Sequence, residues 1–292
     1  MSPLSSLSTA RPKPAPLAAA ERPAIMATLY TGGVGREVLL AMNVNNTNVT
    51  IGVFEGESLG ATWRFATDVS KTADEYGVLM ADLLTHGGVS PDDVDAAVIG
   101  CVVPDLEPVF EGVCERYFNV RPLVVGTGVR TGLRILYDSP REVGADRVAD
   151  AVAAIQEYGA PLIVVDLGTA TVFDAISKDG DYLGGAIAPG LGIGSEALFQ
   201  RAARLYRVEL SRPGAAIGRN TIAAMQAGIV FGHVGLVEGI VQRFKEELGE
   251  DAKVIGTGGY AELIARETDA IDAVDMNLAL KGLRLIFEMN RG

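Results

Sequence analysis

The residues best suited to chemistry lie in one short segment, residues 144–147. Asp146 and Arg147 follow Gly144 at the predicted start of a helix whose buried face carries small apolar residues. The residues alone allow two interpretations of Asp146. It caps the helix, which is a common role for aspartate, or it accepts the proton of a substrate hydroxyl while Arg147 and the first-turn amides bind an anionic group. The local sequence does not choose between them.

Three turns rich in glycine, asparagine and threonine offer a second kind of chemistry. The first contains Thr47, the second contains Thr169 in a matching position, and the third spans residues 256–259. Glycine lets backbone amides approach phosphate oxygens closely, and threonine hydroxyls add donors without bulk. One such turn is common in any β or α/β protein. Two in matching positions, with a third, predict loops that converge on one ligand.

Predicted hairpins position the first two turns. The segment LLAMNVNNTNVTIGVFEG follows Val38, and PLIVVDLGTATVFDAISKDGDYLGG repeats its pattern from Pro161. AAVIGCVVP, RPLVVGTG and VIGTGG are predicted as further short buried strands. Helical periodicity predicts helices over residues 73–86, 107–117, 195–205, 221–248 and 278–290. The chain is therefore predicted to consist of two related α/β halves.

Composition restricts the class of protein. With 292 residues, of which 48% are hydrophobic and 21% charged, the chain can bury one large core or two coupled ones. A formal charge of -12 argues against nucleic acid as a partner. An anionic ligand must then be held by local amides, a few cationic side chains or metal ions. Two cysteines and two histidines are too few for a disulfide framework or a zinc cluster.

The sequence also predicts location and domain boundaries. No stretch approaches 18 consecutive apolar residues, so we expect a cytoplasmic protein with no membrane partner. Residues 1–36 are rich in Pro, Ala and Ser and are predicted to form a disordered extension. A true start at Met26 is the simplest explanation of this extension, and an organellar transit peptide is the alternative. The remaining chain is predicted to divide into domains at residues 37–159 and 160–292.

Six segments occur in the order and approximate spacing of type III pantothenate kinases, from residue 38 onwards. They are MNVNNTN, YDSPREVGADR, VDLGTATVFDAI, YLGGAIAPGL, IGRNT and GTGGYAELIA. The chain thus resembles a family that phosphorylates pantothenate with ATP in the first step of coenzyme A synthesis. The resemblance implies an α/β fold of two actin-like (ribonuclease H-like) halves, each a mixed five-stranded sheet flanked by helices, with a cleft between them. It also implies ATP with Mg²⁺, a monovalent cation (K⁺ or NH₄⁺) and a homodimer.

The resemblance carries roles onto individual residues. Asp146 falls on the general base for the pantothenate hydroxyl, and Asp166 falls on the monovalent-cation site. The ATP contacts fall on Asn43, Val44, Asn45, Asn46, Thr47, Asn48, Val49, Thr50 and Thr169. The pantothenate contacts fall on Tyr137, Gly144, Ala145, Asp146, Arg147 and Thr221. In the family, the threonine matching Thr221 reaches the site from the neighbouring subunit.

The first loop departs from the family pattern Asp-x-Gly-Asn-Thr, because Asn43 and Asn45 replace its Asp and Gly. Asn43 lacks the charge that helps to place Mg²⁺. Two unit charges about 4 Å apart at an effective dielectric of about 20 interact by roughly 4 kcal/mol, so the resemblance implies a kinase whose turnover Asn43 lowers. The alternative is a catalytically impaired paralogue that acts as a regulatory or hetero-oligomeric partner. A non-enzymatic actin-like scaffold has the least support, since the substrate elements are retained.

Overall fold

The computed structural model describes residues 37–201 and 208–291, without the side chain of Arg201. The predicted extension at residues 1–36 lies outside the described residues. The described chain forms two five-stranded sheets flanked by helices.

The first sheet is built from the N-terminal part of the chain. Its strands are β1 (Val38–Val44), β2 (Asn48–Glu55), β3 (Ser58–Ala66), β4 (Ala96–Cys101) and β5 (Leu123–Val124), in the spatial order β3-β2-β1-β4-β5. The first three strands form an antiparallel meander, and β4 and β5 continue the sheet in parallel with β1. Helices α1 (Ala73–His86) and α2 (Glu107–Tyr117) belong to this part of the chain.

The second sheet repeats this topology. Its strands are β6 (Leu162–Leu167), β7 (Ala170–Ile176), β8 (Tyr182–Pro189), β9 (Lys253–Thr257) and β10 (Ala273–Val274), in the order β10-β9-β6-β7-β8. The helices are α3 (Ala145–Tyr158), α4 (Leu191–Arg201), α5 (Thr221–Leu248), α6 (Ala261–Ala265) and α7 (Leu278–Asn290). A meander followed by two parallel strands occurs twice, so the predicted pair of related mixed sheets is confirmed.

The apolar residues stack these elements into five layers. Alternate residues of β1 face opposite ways: Leu40 packs with α1 and α2, whereas Leu39 packs with α3 and α7. In the second sheet Val164 faces α3 and α7, while Val165 faces α5 and α6. Helices α3 and α7 therefore lie between the two sheets. They approach so closely that a Cβ at Gly282 would overlap the backbone of Ala149.

Local signals explain why most helix predictions hold. Helix α1 begins at a capping box in which Thr72 and Glu75 each bond the other's backbone amide, and it spans the predicted residues 73–86. The predicted bounds of α2, α5 and α7 are likewise those observed. The helix predicted at residues 195–205 is wrong at its start, because α4 begins at Leu191, and its predicted end lies outside the described residues. Two glycines in its first turn lower the local helix propensity, and packing of the β8–α4 junction beside Thr169 outweighs them.

Helix α5 has an unusual surface. By length and composition, it is the one helix in the described ranges that could cross a membrane, a test that core helices of soluble proteins also meet. Only 39% of its most apolar window is buried. Val230, Val237 and Val241 are buried against the second sheet, while Gly228, Gly232 and Gly235 face open space on the other side. Helix α5 thus presents an exposed strip with little side-chain bulk.

Candidate active site

The three predicted turns meet in a cleft between the two sheets. The hydroxyls of Thr47, in the β1–β2 turn, and Thr169, in the β6–β7 turn, are 2.6 Å apart. The third turn lies beside them, because the Tyr260 amide donates to the Leu167 carbonyl at 3.0 Å. Gly258 in this turn has a φ of +87°, and a Cβ there would overlap the Asp166 carboxylate and the Leu167 backbone. A glycine is therefore required at this position.

Two adjoining cavities open on either side of these turns. The one beside Gly192, Glu196 and Tyr260 has a volume of about 480 Å³. The other, about 430 Å³, contains Asn43 and the acidic residues described below. Asn48, Arg64, Gly168, Thr169, Ile193 and Gly259 line both cavities. Because these residues are shared, the two cavities form one continuous groove.

Asp146 lines the second cavity from the first turn of α3. The N-cap of this helix is Gly144, so Asp146 is not the capping residue. Its carboxylate accepts a hydrogen bond from the Arg147 amide at 2.8 Å. Burial raises the pKa of Asp146, and the bond to the Arg147 amide partly opposes this. The arrangement gives an oriented carboxylate with raised proton affinity beside a cavity.

Arg147 is largely engaged by a buried acid. Its Nε and Nη2 atoms donate to Asp174 Oδ1 at 2.9 Å and 2.6 Å, and the Tyr182 hydroxyl donates to the same oxygen at 2.6 Å. Tyr137 packs edge-on against Tyr182, with ring centroids 6.5 Å apart. Asp174 and Tyr182 were missed by sequence reasoning. A lone carboxylate in the apolar strand β7 is a signal that could have found Asp174, since a buried charge requires a partner.

Two further acids face the same cavity. Asp166, at the end of β6, is half-buried, and its pKa is raised to about 7 by burial and by the charges of Asp146 and Asp174. Asp150 lies one helical turn after Asp146 and is only 5% exposed. Burial, and then the charge of Asp166, raise its pKa well above the usual range. The cavity therefore concentrates acidic side chains whose affinity for protons is raised.

Arg64 is a cation that sequence reasoning also missed. It lies on the exposed face of β3 and lines both cavities. Its guanidinium approaches the third turn, since a Cβ at Gly259 would be 3.2 Å from Arg64 Nη1. Its backbone belongs to the β2–β3 ladder, whereas its guanidinium makes no side-chain hydrogen bond or ion pair within residues 37–201 and 208–291 and acts on Asp166 only through its charge. Arg64, unlike Arg147, thus has its donors available to a ligand.

The remaining predicted site residues divide by position. Asn43, Asn45, Asn46, Asn48 and Thr50 line the second cavity, as does Gly144. The side chains of Val44 and Val49 are fully buried in the core, so only their backbone groups are available to a ligand. Ala145 is the first residue of α3. Thr221, the first residue of α5, is exposed and lines neither cavity within this chain.

The donor atoms of the cleft suit a magnesium nucleotide. Within residues 37–201 and 208–291, no group of three or more His, Cys, Asp or Glu side chains is arranged to hold a metal ion. Mg²⁺ keeps several waters and is held by one or two carboxylates together with substrate phosphates. The buried Oδ1 atoms of Asn43, Asn45 and Asp150 lack hydrogen-bond partners in the described chain. These unsatisfied oxygens fit a hard cation or its waters.

Comparison with known proteins agrees with this description. A family model for type III pantothenate kinase matches residues 39–243. The type III pantothenate kinase of Myxococcus xanthus (strain DK1622) is 53% identical over 253 residues, covering 87% of this chain and 99% of that protein. The one from Roseiflexus sp. (strain RS-1) is 52% identical over 254 residues, covering 87% and 100%.

Solved structures agree in fold. A 2-dehydro-3-deoxygalactonokinase protein from Sinorhizobium meliloti superposes with a TM-score of 0.59 at 12% identity, over 87% of this chain and 97% of that one. A Baf family protein from Campylobacter jejuni gives 0.55 at 19% identity, over 86% and 98%. At such identities the likeness establishes the fold alone. It confirms the predicted actin-like architecture of two halves with a cleft between them.

Proposed function

The chain belongs to the type III pantothenate kinase family, and we propose from this that it transfers the terminal phosphoryl group of ATP to the primary hydroxyl of pantothenate. This reaction is the first step of coenzyme A synthesis. The observation that carries the proposal is the cleft itself, in which Asp146 and the threonine turns line one cavity. The geometry suits phosphoryl transfer, which depends mainly on positioning and on charge stabilisation.

Asp146 is proposed as the general base. In-line transfer needs the attacking hydroxyl oriented towards the phosphorus, with its proton accepted late. The Arg147 amide fixes the direction of the Asp146 carboxylate. Burial raises its pKa, which makes it a stronger proton acceptor when ionised.

The nucleotide is proposed to lie along the groove, with its phosphates at the turns containing Thr47 and Thr169. The side chains and amides from Asn43 to Thr50 would supply hydrogen bonds, with Val44 and Val49 acting through the backbone. Mg²⁺ bound with ATP would offset the phosphate charge, held by substrate oxygens, by waters and by the amide oxygens of Asn43 and Asn45. Arg64 is proposed as the cation that contacts the phosphates, since its guanidinium lines both cavities.

Pantothenate is proposed to lie beside the N-terminus of α3, near Gly144, Ala145 and Arg147. Arg147 keeps a donor, Nη1, beyond those used by Asp174, and Tyr137 lies next to the same network through Tyr182. Asp166 is proposed to bind the monovalent cation, K⁺ or NH₄⁺. Its half-buried carboxylate lies beside the third turn, where a cation would relieve the repulsion from neighbouring acids.

A cytoplasmic homodimer is proposed as the working form. Helix α5 exposes Ile222, which is 52% accessible, and the glycine strip of Gly228, Gly232 and Gly235 permits close approach of a second backbone. Thr221 begins this helix and lines neither cavity of its own chain, which supports its contribution to the neighbouring subunit's site.

The test is an ATP-dependent pantothenate phosphorylation assay on the wild-type protein and the Asp146→Asn variant. We expect turnover in the wild type and a loss of about 10²- to 10⁴-fold in kcat for the variant, because the hydroxyl proton has no acceptor. Pantothenate affinity should change little, because asparagine keeps the size of the side chain. Asp92→Asn, at an exposed acid of an outer turn, serves as the matched control.

Asn43 favours the second candidate, a catalytically impaired paralogue. An inert wild-type protein that still binds pantothenate and nucleotide by calorimetry would support that candidate and contradict the kinase. Full activity in Asp146→Asn would contradict the role of the base while leaving the overall reaction intact.

A further inference from the structure

Asp150 has no role in the reaction as proposed above. The role assigned to it here rests on that proposed function. We propose that Asp150 supplies the negative charge that holds the divalent cation of the nucleotide, at the position in the cleft where Asn43 offers only a neutral amide. Asp150 would act as a binding residue for the hydrated Mg²⁺, together with the amide oxygen of Asn43.

Burial without a partner is the first observation. Asp150 is 5% exposed, and its Oδ1 has no hydrogen-bond partner within residues 37–201 and 208–291. Leaving a buried carboxylate unpaired is costly, and buried charges in proteins are normally paired or bound to metal. The side chain nevertheless lines the cavity that contains Asn43. A ligand that enters this cavity can therefore satisfy it.

The surrounding charges point to a cation. The carboxylates of Asp166, Asp146 and Asp174 all act on Asp150. Arg147 is bonded to Asp174, at 2.9 Å and 2.6 Å, and Arg64 lies on an exposed strand near Asp166. Neither cation bonds to Asp150. The cleft thus holds more acidic side chains than its own cationic side chains pair with, and a bound cation would favour their ionised forms.

The donor set indicates which kind of cation. Asp146 and Asp150 are four residues apart on α3 and lie on one face of it. Across the same cavity, the Oδ1 atoms of Asn43 and Asn45 are also buried and unpartnered. These donors are all hard oxygens, and a pair of amides with one carboxylate suits Mg²⁺ that keeps several of its waters. A dedicated cage of three acids is not needed.

The assignment is tested by moving the carboxylate from position 150 to position 43. We would measure Mg²⁺ binding to the ADP complex by calorimetry in the wild type, Asp150→Asn, Asn43→Asp and the double variant. Asp150→Asn should weaken Mg²⁺ binding by about tenfold or more, because one charge near the ion is removed. The double variant should recover to within about threefold of the wild type, because Asp at position 43 returns a carboxylate to the cavity. Asn43→Asp alone should change the affinity by less than about threefold, since Asp150 already provides the charge.

Glu157→Gln, at the far end of the same helix, is the matched control and should leave Mg²⁺ binding unchanged. Rescue by a residue on β1, rather than on α3, is the result that a merely structural role for Asp150 would not give. Asn43→Asp keeps Asp150 in place, so it remains informative if Asp150→Asn does not fold.

Three results would overturn the inference. Mg²⁺ binding unaffected by Asp150→Asn would show that Asp150 is a neutral buried acid. Loss of K⁺ activation with intact Mg²⁺ binding would assign Asp150 to the monovalent site instead. If the double variant binds Mg²⁺ as weakly as Asp150→Asn alone, Asp150 has only a structural role. Because binding is measured without pantothenate, the inference can hold even if the chain fails to phosphorylate it, and the two failures are distinguishable.

Discussion

Asp146 has its direction fixed by the amide of the next residue before any substrate enters. Arg147, its neighbour, is expected from the sequence to bind an anionic group, but in the structure it mainly pairs with a buried acid. Because two of its nitrogens bond Asp174, it holds α3 against β7 and leaves only part of its donor set for a ligand. Arg64, on β3, is exposed and lines both cavities. At the scale of single residues, anchoring of α3 and the proposed phosphate contact are thus divided between two arginines.

This division predicts a selective effect of Arg64 on the nucleotide. Arg64→Gln should raise the KM for ATP by about 10- to 100-fold, which corresponds to the loss of one charge-assisted hydrogen bond of about 1.5–3 kcal/mol. Steady-state kinetics with each substrate varied in turn would measure it. The KM for pantothenate should stay within about twofold, because Arg64 lies on β3 and not among the residues at the N-terminus of α3 that are proposed to bind pantothenate.

Arg64→Lys should lie between the wild type and Arg64→Gln, since it keeps the charge but loses the fork of donors. Arg116→Gln, on the outer helix α2, is the control and should leave both constants unchanged. An equal rise in both KM values for Arg64→Gln would indicate a general disturbance of the cleft and contradict a specific contact.

Elements with strong local signals could be predicted from the sequence, and residues whose partners are distant could not. The capping box at Thr72 and the turns around Thr47 and Thr169 depend on neighbours a few residues away. Asp174 and Asp150, in contrast, gain their neighbours and their burial only when α3 packs between the two sheets. In the sequence, Asp150 is one of several polar residues on an amphipathic helix. Its burial follows from the close contact of α3 with α7.

The contact between α5 and β7 predicts a pH effect on stability. His233 on α5 is 8% exposed, and its Nε2 lies 2.8 Å from the Thr171 hydroxyl. Burial lowers the pKa of His233, so the unfolded chain binds a proton more readily than the folded chain. The stabilisation from the neutral ring is therefore fully present above a pH of about 6.5, and it is lost as the pH falls through the lower pKa of the folded chain. Its size is about 1.4 kcal/mol for each unit by which the folded pKa lies below the unfolded one.

Chemical denaturation between pH 5 and 7.5 would measure this contribution as the difference between the wild type and His233→Gln. The difference in the free energy of unfolding should shrink as the pH falls. The chain has two histidines, and His86→Gln at the exposed end of α1 is the control, for which we expect a profile parallel to that of the wild type. A difference for His233→Gln that does not vary with pH would contradict the assignment.

At the scale of the whole molecule, five alternating layers place the groove between two sheets of the same topology. Each sheet contributes one threonine turn, and α3 lies between the sheets with its N-terminus at the groove. The site is thus assembled from both halves of the chain, and the proposed homodimer would add Thr221 from the exposed end of α5 of a second chain.

Subunit complementation tests whether the second chain contributes. Thr221→Ala and Asp146→Asn should each be nearly inactive alone. If Thr221 acts across the interface, mixed dimers contain one intact site, and equimolar exchange of subunits should restore about a quarter of wild-type activity. Phosphorylation assays before and after exchange would measure it. An inactive mixture in which native mass spectrometry detects mixed dimers would place Thr221 in its own chain's site.

The hydrogen bond between Thr47 and Thr169 joins hydroxyls that belong to different sheets, and a phosphate chain that enters between them must replace it. A polyphosphate with enough oxygens to bond both hydroxyls restores what it breaks. A shorter anion that reaches only one hydroxyl leaves the other to bond water, because both threonines are exposed, and it therefore gains fewer contacts. In the proposed kinase, the threonine pair would thus favour polyphosphates over small anions by the number of hydroxyls that each can bond, independently of any contact with the nucleotide base.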